Sequence, residues 1–186
     1  MLFKRHRINP RTPVALSAPA ALSGVTASKC RERPAQAAVR LSEADSLRAV
    51  PDCLFCGIVE GSIPSQTIDS DERTVAFMDV APATPGHALV VPRKHSADLL
   101  EIDPEDLSAT VTAAQRLARH MKEALDADGV NLINSCGAAA WQTVFHFHIH
   151  VVPRYEDDPL KLPWVPEEGD PDEIAKLAER LCEGAP

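Results

Sequence analysis

No stretch of this 186-residue chain approaches the roughly 18 consecutive apolar residues that a membrane span needs, and residues 1–30 lack the continuous apolar core of a secretory signal. No membrane segment is expected. The cysteines are few and odd in number (Cys30, Cys53, Cys56, Cys136 and Cys182), with one close pair, unlike a disulfide-stapled secreted domain. A reducing, cytoplasmic setting is the expectation. Acidic residues are missing before Glu32: residues 1–50 hold nine Lys/Arg against Glu32, Glu43 and Asp45, which leaves +6 there and -14 in the remainder. An acidic body without clustered Lys/Arg argues against a broad nucleic-acid footprint. A small anionic ligand in a local pocket is compatible with it. There is no internal repeat.

What is present divides into two parts. Residues 1–50 are Ala-, Ser-, Arg- and Pro-rich with no sustained apolar period, and read as a disordered basic leader. That composition overlaps an organellar transit peptide and equally suits an extension read from too early a start codon. Residues 51–186 hold enough apolar sequence for one core. There, "CLFCGIVEG" (Cys53–Gly61) suggests a short helical turn. "RTVAFMDV" (Arg73–Val80) and "HALVVPR" (His87–Arg93) are β-rich runs joined by "APATPG", which predicts an antiparallel pair.

Asp103, Pro104 and Asp106 form a helix start, followed by Leu107, Val111, Ala114, Leu117, Met121 and Leu125 at helical spacing, with Gly129 as the stop. A strand over Val130–Asn134, a loop, a strand through "HFHIHVVPR" (His146–Arg154) and a terminal helix carrying Ile174, Leu177 and Leu181 complete an α+β reading.

His146, His148 and His150 alternate with Phe147, Ile149 and Val151, so a strand would turn three imidazoles to one face and three apolar groups to a core. One metal held by all three is awkward. At about 3.3 Å per residue, the outer Cα atoms lie roughly 13 Å apart, against metal–nitrogen bonds of about 2.0–2.1 Å. Cys53 and Cys56 form a C-x-x-C pair, which leaves open half of a zinc site, a redox pair or two buried thiols. A neutral imidazole can also act as a nucleophile. Burying three such rings without partners would cost a few kcal/mol each, so a merely structural role for all of them is disfavoured.

"HFHIHVV" resembles the His-x-His-x-His-x-x signature of the histidine triad (HIT) superfamily of nucleotide hydrolases and transferases. "CLFCGIVEGSIPS", "VAFMDVAPATPGHALVVPRKH", "NLIN" and "QTVFHFHIHVVPR" resemble further family segments in order, over about residues 52–155. The resemblance implies a HIT-like antiparallel sheet of about five strands with one long helix and short helices, and a homodimer. His148 would be the nucleophile toward the α-phosphorus of a nucleoside 5′-monophosphoryl compound, His150 a phosphate ligand and His87 a supporting histidine. Gln142 and Thr143 would touch phosphate and leaving group, with Asn134 on the phosphate side. Asp79 would hold the ribose hydroxyls, and Phe55, Ile58 and Phe77, with Leu54 and Leu89 as weaker candidates, would wall the base of a purine nucleotide or dinucleotide.

In the C-x-x-C branch of the family the resemblance implies a structural zinc on Cys53, Cys56, His95 and His146. The implied activity is that of a nucleotide phosphoramidase or dinucleoside polyphosphate hydrolase. The alternatives are a catalytically weak nucleotide-binding regulatory protein with a structural zinc, and a zinc hydrolase that activates water directly. Trp141 departs from the family's usual glycine before the glutamine and is expected either to narrow the leaving-group side or to reshape substrate choice, with Trp164 as a further specificity candidate. His6 and His120 have no matching role, and Cys30, Cys136 and Cys182 read as single thiols.

Overall fold

In the computed structural model, residues 53–161, 163 and 165–183 are described. The leader expected over residues 1–50, with His6 and Cys30, and also Trp164, lie outside them. The first element is α1 (Leu54–Glu60), capped by Cys53, whose thiol accepts from the Cys56 N–H at 3.5 Å. Gly61, at φ 79°, ends it by donating its N–H to the Ile58 carbonyl. That left-handed backbone is one that glycine adopts without a Cβ clash.

β1 (Thr67–Ser70) leads into the expected hairpin, β2 (Thr74–Met78) paired antiparallel with β3 (Ala88–Pro92). The long helix α2 (Pro104–Ala124) begins at Asp103, whose carboxylate accepts from the Glu105 N–H at 2.8 Å. Asp106, Thr110, Ala113, Ala114, Leu117 and Met121 form its buried face, while Val111 and Leu125 of the expected stripe are exposed. The helix stops before Gly129: Leu125 is the cap, Asp126 turns left-handed at φ 51°, and Gly129 already opens β4 (Gly129–Ile133).

β5 (Ile149–Arg154) pairs with both β3 and β4, giving a five-stranded antiparallel sheet in the order β1-β2-β3-β5-β4. Of the three alternating histidines only His150 lies in the strand, where a strand through all three was expected. The approach is held by other bonds. The Phe147 N–H donates to the Ser96 carbonyl at 2.7 Å, and the His148 carbonyl accepts from the Asn134 side chain at 2.9 Å. Side chains and a loop thus satisfy backbone groups that would otherwise seek a strand neighbour. The alternation nevertheless survives into this segment.

The two sheet faces are chemically distinct. Ala76, Ala88, Val90, Ile149 and Val151, with Phe147, pack against the Ala113, Ala114, Leu117 and Met121 face of α2. On the other face Val75, Phe77, Leu89 and Val91 cluster with Phe55 of α1. Phe77 stands opposite Leu89, and Leu89 opposite His150, so one cross-strand row runs from apolar wall to imidazole.

The C-terminal segment carries one further helix. There α3 (Pro171–Glu183) starts on Asp170, which accepts from the Asp172 and Glu173 N–H groups, and its Ile174, Leu177 and Leu181 are exposed. No helix among the described residues is long and apolar enough to cross a membrane.

Candidate functional site

The two cysteines and two histidines singled out from the sequence gather around the N-terminus of α1. Donor atoms of Cys53, Cys56, His95 and His146 all lie within 4.8 Å of one another. Cys53 Sγ is 3.5 Å and Cys56 Sγ 3.6 Å from His146 Nδ1, and Cys56 Sγ is 3.3 Å from His95 Nδ1. A tetrahedral zinc with bonds of about 2.3 Å to sulfur and 2.0–2.1 Å to nitrogen has sulfur–nitrogen edges of about 3.6 Å. The cluster therefore fits zinc in donor type and in spacing.

The imidazole protons agree with that fit. His146 is fully buried, and its Nε2 lies 2.9 Å from the Pro92 carbonyl, an acceptor only, so the proton sits on Nε2 and the Nδ1 lone pair faces the thiols. Burial, opposed by the bond to Pro92, pushes this histidine down to about 4 and keeps it neutral.

Two residues on, the polarity reverses. His148 Nδ1 is 2.6 Å from the His146 carbonyl and must donate to it, which leaves an unprotonated Nε2 on the ring. The ring is buried, stacked edge-on against Phe55 at 5.1 Å and beside His150 at 5.0 Å. Burial, opposed by that carbonyl and by Asp79, holds His148 below its ordinary range, so the neutral ring persists at neutral pH. His148 and His150 face a cavity of about 320 Å³ walled by Leu54, Phe55, Ile58, Phe77 and Leu89, with Asp79 and Thr143 at its polar side. That volume is at the lower end for small-molecule sites. A larger open groove of about 730 Å³ runs past Arg73 and Arg116, whose charges already pair with Glu105, Asp106 and Asp71.

Three further expected residues lie off the cavity wall. His87 is buried behind His150, Nε2 to Nδ1 at 2.9 Å. Asn134 spends its amide N–H on the His148 carbonyl. Gln142 is buried and turned inward: its oxygen accepts from Gly137 N–H at 2.7 Å, and its nitrogen donates to the Ala97 and Val144 carbonyls at 2.7 and 3.2 Å. Both ends of the Gln142 amide are thus engaged by backbone groups. Trp141 is exposed at φ 69° and is not among the residues that line the cavity.

Sequence reasoning missed Ile63, Pro64 and Ser65, which border the cavity from the connection between α1 and β1, and Val144. It also missed the carbonyls of Pro92 and His146 that set the ring protons. The "SIPS" segment carried a signal for the former. Backbone acceptors leave none in side-chain identity.

A model of the HIT domain matches residues 60–157. An uncharacterised HIT-like protein of Mycoplasma genitalium is 44% identical over 104 residues, 56% of this chain and 74% of its own. A zinc-bound histidine triad family protein from Mycobacterium smegmatis superposes with a TM-score of 0.58 at 39% identity, over 71% of this chain and 94% of that one. A histidine triad nucleotide-binding protein from Candida albicans superposes with a TM-score of 0.64 at 31% identity, over 71% and 96%.

Proposed function

The chain belongs to the HIT domain family, and from that premise we propose that it hydrolyses nucleoside 5′-monophosphoryl compounds, as a nucleotide phosphoramidase or dinucleoside polyphosphate hydrolase. The observation that carries this reading is the 2.6 Å bond from His148 Nδ1 to the His146 carbonyl, which leaves a buried, neutral Nε2 lone pair beside the cavity. In the first step Nε2 attacks the α-phosphorus, the nitrogen–phosphorus bond forms and the bond to the leaving group breaks with its electron pair. In the second, water attacks the same phosphorus, the nitrogen–phosphorus bond breaks and a proton passes to solvent, releasing the nucleotide and free His148. His150 donates to the phosphoryl oxygens, where fixed donors are most effective. Asp79 accepts from the ribose hydroxyls, Thr143 lies toward the leaving group, and Phe55, Ile58 and Phe77 hold the base.

Cys53, Cys56, His95 and His146 hold a structural zinc in this reading, supported by their spacing. The zinc would cross-link α1 to the chain entering β5. A homodimer along the exposed edge strand β4, where Leu132 and Ile133 are open to solvent, completes the proposal.

One observation favours a second reading. Gln142 gives its amide to the backbone, so the leaving-group side has one donor fewer than the family pattern implies. A nucleotide-binding protein with weak turnover would look the same. Turnover of adenosine 5′-phosphoramidate and diadenosine polyphosphates, with binding of adenosine 5′-monophosphate measured in parallel, separates the two. Tight binding with turnover no faster than that of His148→Ala would select the second.

A further inference from the structure

We infer that the Ala83 N–H, acting through His87, fixes the proton of His150 on Nε2 and so makes His150 an obligate donor to a phosphoryl oxygen. The last clause rests on the function proposed above; the proton placement does not.

The chain of bonds has one consistent direction. The Ala83 N–H donates to His87 Nδ1 at 3.1 Å. A nitrogen that accepts carries no proton, so neutral His87 holds its proton on Nε2. That atom lies 2.9 Å from His150 Nδ1 and must donate to it. His150 Nδ1 is therefore unprotonated, and its own proton sits on Nε2, on the ring that lines the cavity next to His148.

Reversing any member sets two N–H groups against each other. Burial, reinforced by His148 and His87 and opposed by Asp79, pushes His150 down to about 4, and burial, opposed by Asp79, also lowers His87. Both rings are thus neutral, as the bond directions require.

The origin of the chain is held in place. Thr84 Oγ1 donates to the Pro153 carbonyl at 2.6 Å, and the Tyr155 hydroxyl donates to the Pro85 carbonyl at 2.9 Å. His87 N–H returns to the Thr84 carbonyl at 3.1 Å. Gly86 sits at φ 92° where a Cβ would lie 2.5 Å from Leu125 Cδ1, so the turn is closely packed. The Ala83 N–H cannot wander from His87 without breaking these bonds.

The competitor is Asp79, whose Oδ2 lies 3.5 Å from His87 Nε2 and 3.9 Å from His150 Nδ1. Without the His87 proton, this carboxylate would draw the His150 proton onto Nδ1. The phosphate would then meet a lone pair. The same logic disposes of a metal here, although donor atoms of Asp79, His87 and His150 lie within 4.8 Å of one another. A metal needs the His87 Nε2 lone pair, which would put Nδ1–H against the Ala83 N–H.

Long-range proton–nitrogen NMR correlation on the full chain labelled with ¹⁵N-histidine reads the tautomers directly. The expectation is that His87 and His150 both carry their proton on Nε2. His87→Leu should move the His150 proton to Nδ1 and lower kcat/KM roughly 10²-fold, the usual effect of losing one oxyanion donor. His87→Gln keeps an N–H donor, and should keep the His150 proton on Nε2 and recover most of that loss. Wild-type His150 protonated on Nδ1 would overturn the inference, as would His87→Leu with its His150 proton still on Nε2. If the leucine variant does not fold, the wild-type spectrum decides alone. Absent turnover with the expected tautomers would defeat the proposed function and leave the proton placement standing.

Discussion

His146 and His148 are two residues apart, both buried, and they carry their protons on opposite nitrogens. His146 gives Nε2–H to the Pro92 carbonyl and turns Nδ1 to the thiols of Cys53 and Cys56. His148 gives Nδ1–H to the His146 carbonyl and keeps Nε2 unprotonated. Residue type does not separate the proposed metal ligand from the proposed nucleophile here. The choice of backbone carbonyl does, because a neutral imidazole with one nitrogen committed as donor has only the other to offer. The Cys/His cluster and the cavity are also joined, since the carbonyl that anchors the His148 ring belongs to His146, a member of that cluster.

The largest test removes the phosphate end alone. His148→Ala should lower turnover of adenosine 5′-phosphoramidate by roughly 10⁴-fold or more, with zinc content and circular dichroism unchanged. Activity within tenfold of wild type would end the comparison. Next in size, Cys53→Ser removes one of the proposed metal ligands. Bound zinc should fall from about one per chain to none, with loss of several kcal/mol in urea unfolding. Because the His148 tether runs through His146, kcat should fall about tenfold in the same variant; full activity without zinc would uncouple the two ends.

Beside the histidines, Asp79→Asn tests the proposed ribose contact. It should raise KM about tenfold and abolish preference for ribose over 2′-deoxyribose, with kcat held within a few-fold.

The titration behaviour has a definite sign. His87 and His150 have depressed folded pKa values, His150 at about 4, while the unfolded rings titrate near 6.5. Between those values the unfolded chain binds more protons, so stability is complete above 6.5 and is lost as pH falls toward 4. Urea midpoints at pH 7, 6 and 5 should decline in that order, and His150→Asn should flatten the decline. The smallest effect belongs to Trp141, held at φ 69° outside the cavity. Trp141→Gly should relieve about 1 kcal/mol of left-handed strain, partly offset by glycine's unfolded-state entropy, and leave kcat/KM within threefold.

Much of the sheet was legible because periodicity encodes burial. The β2–β3 hairpin follows from the Arg73–Val80 and His87–Arg93 runs around a Pro/Gly turn, and α2 from its Asp103 cap and apolar spacing. The gathering of Cys53, Cys56, His95 and His146 was legible through C-x-x-C and the family resemblance. What could not be read were matters of backbone geometry. The entry to β5 lies outside the sheet because Ser96 and Asn134 take its hydrogen bonds. Gln142 has the right type and position in sequence, yet its amide is drawn inward by Gly137, Ala97 and Val144. Val111 and Leu125 fit the helical period but fall at the margin of the stripe that the sheet covers.

The closing of the sheet entry by side chains and a loop has a kinetic consequence. Ladder bonds zip as strands meet, but the Pro92–His146 and Asn134–His148 bonds form only after one ring and one amide have found their rotamers. This corner is expected to be completed last in folding and to open first. Hydrogen exchange at the Phe147 amide should then proceed through local opening, at rates well above those of the Val90 and Val151 amides in the paired strands. Binding of zinc or of nucleotide should slow that exchange, which would make one amide a reporter for both ends of the site.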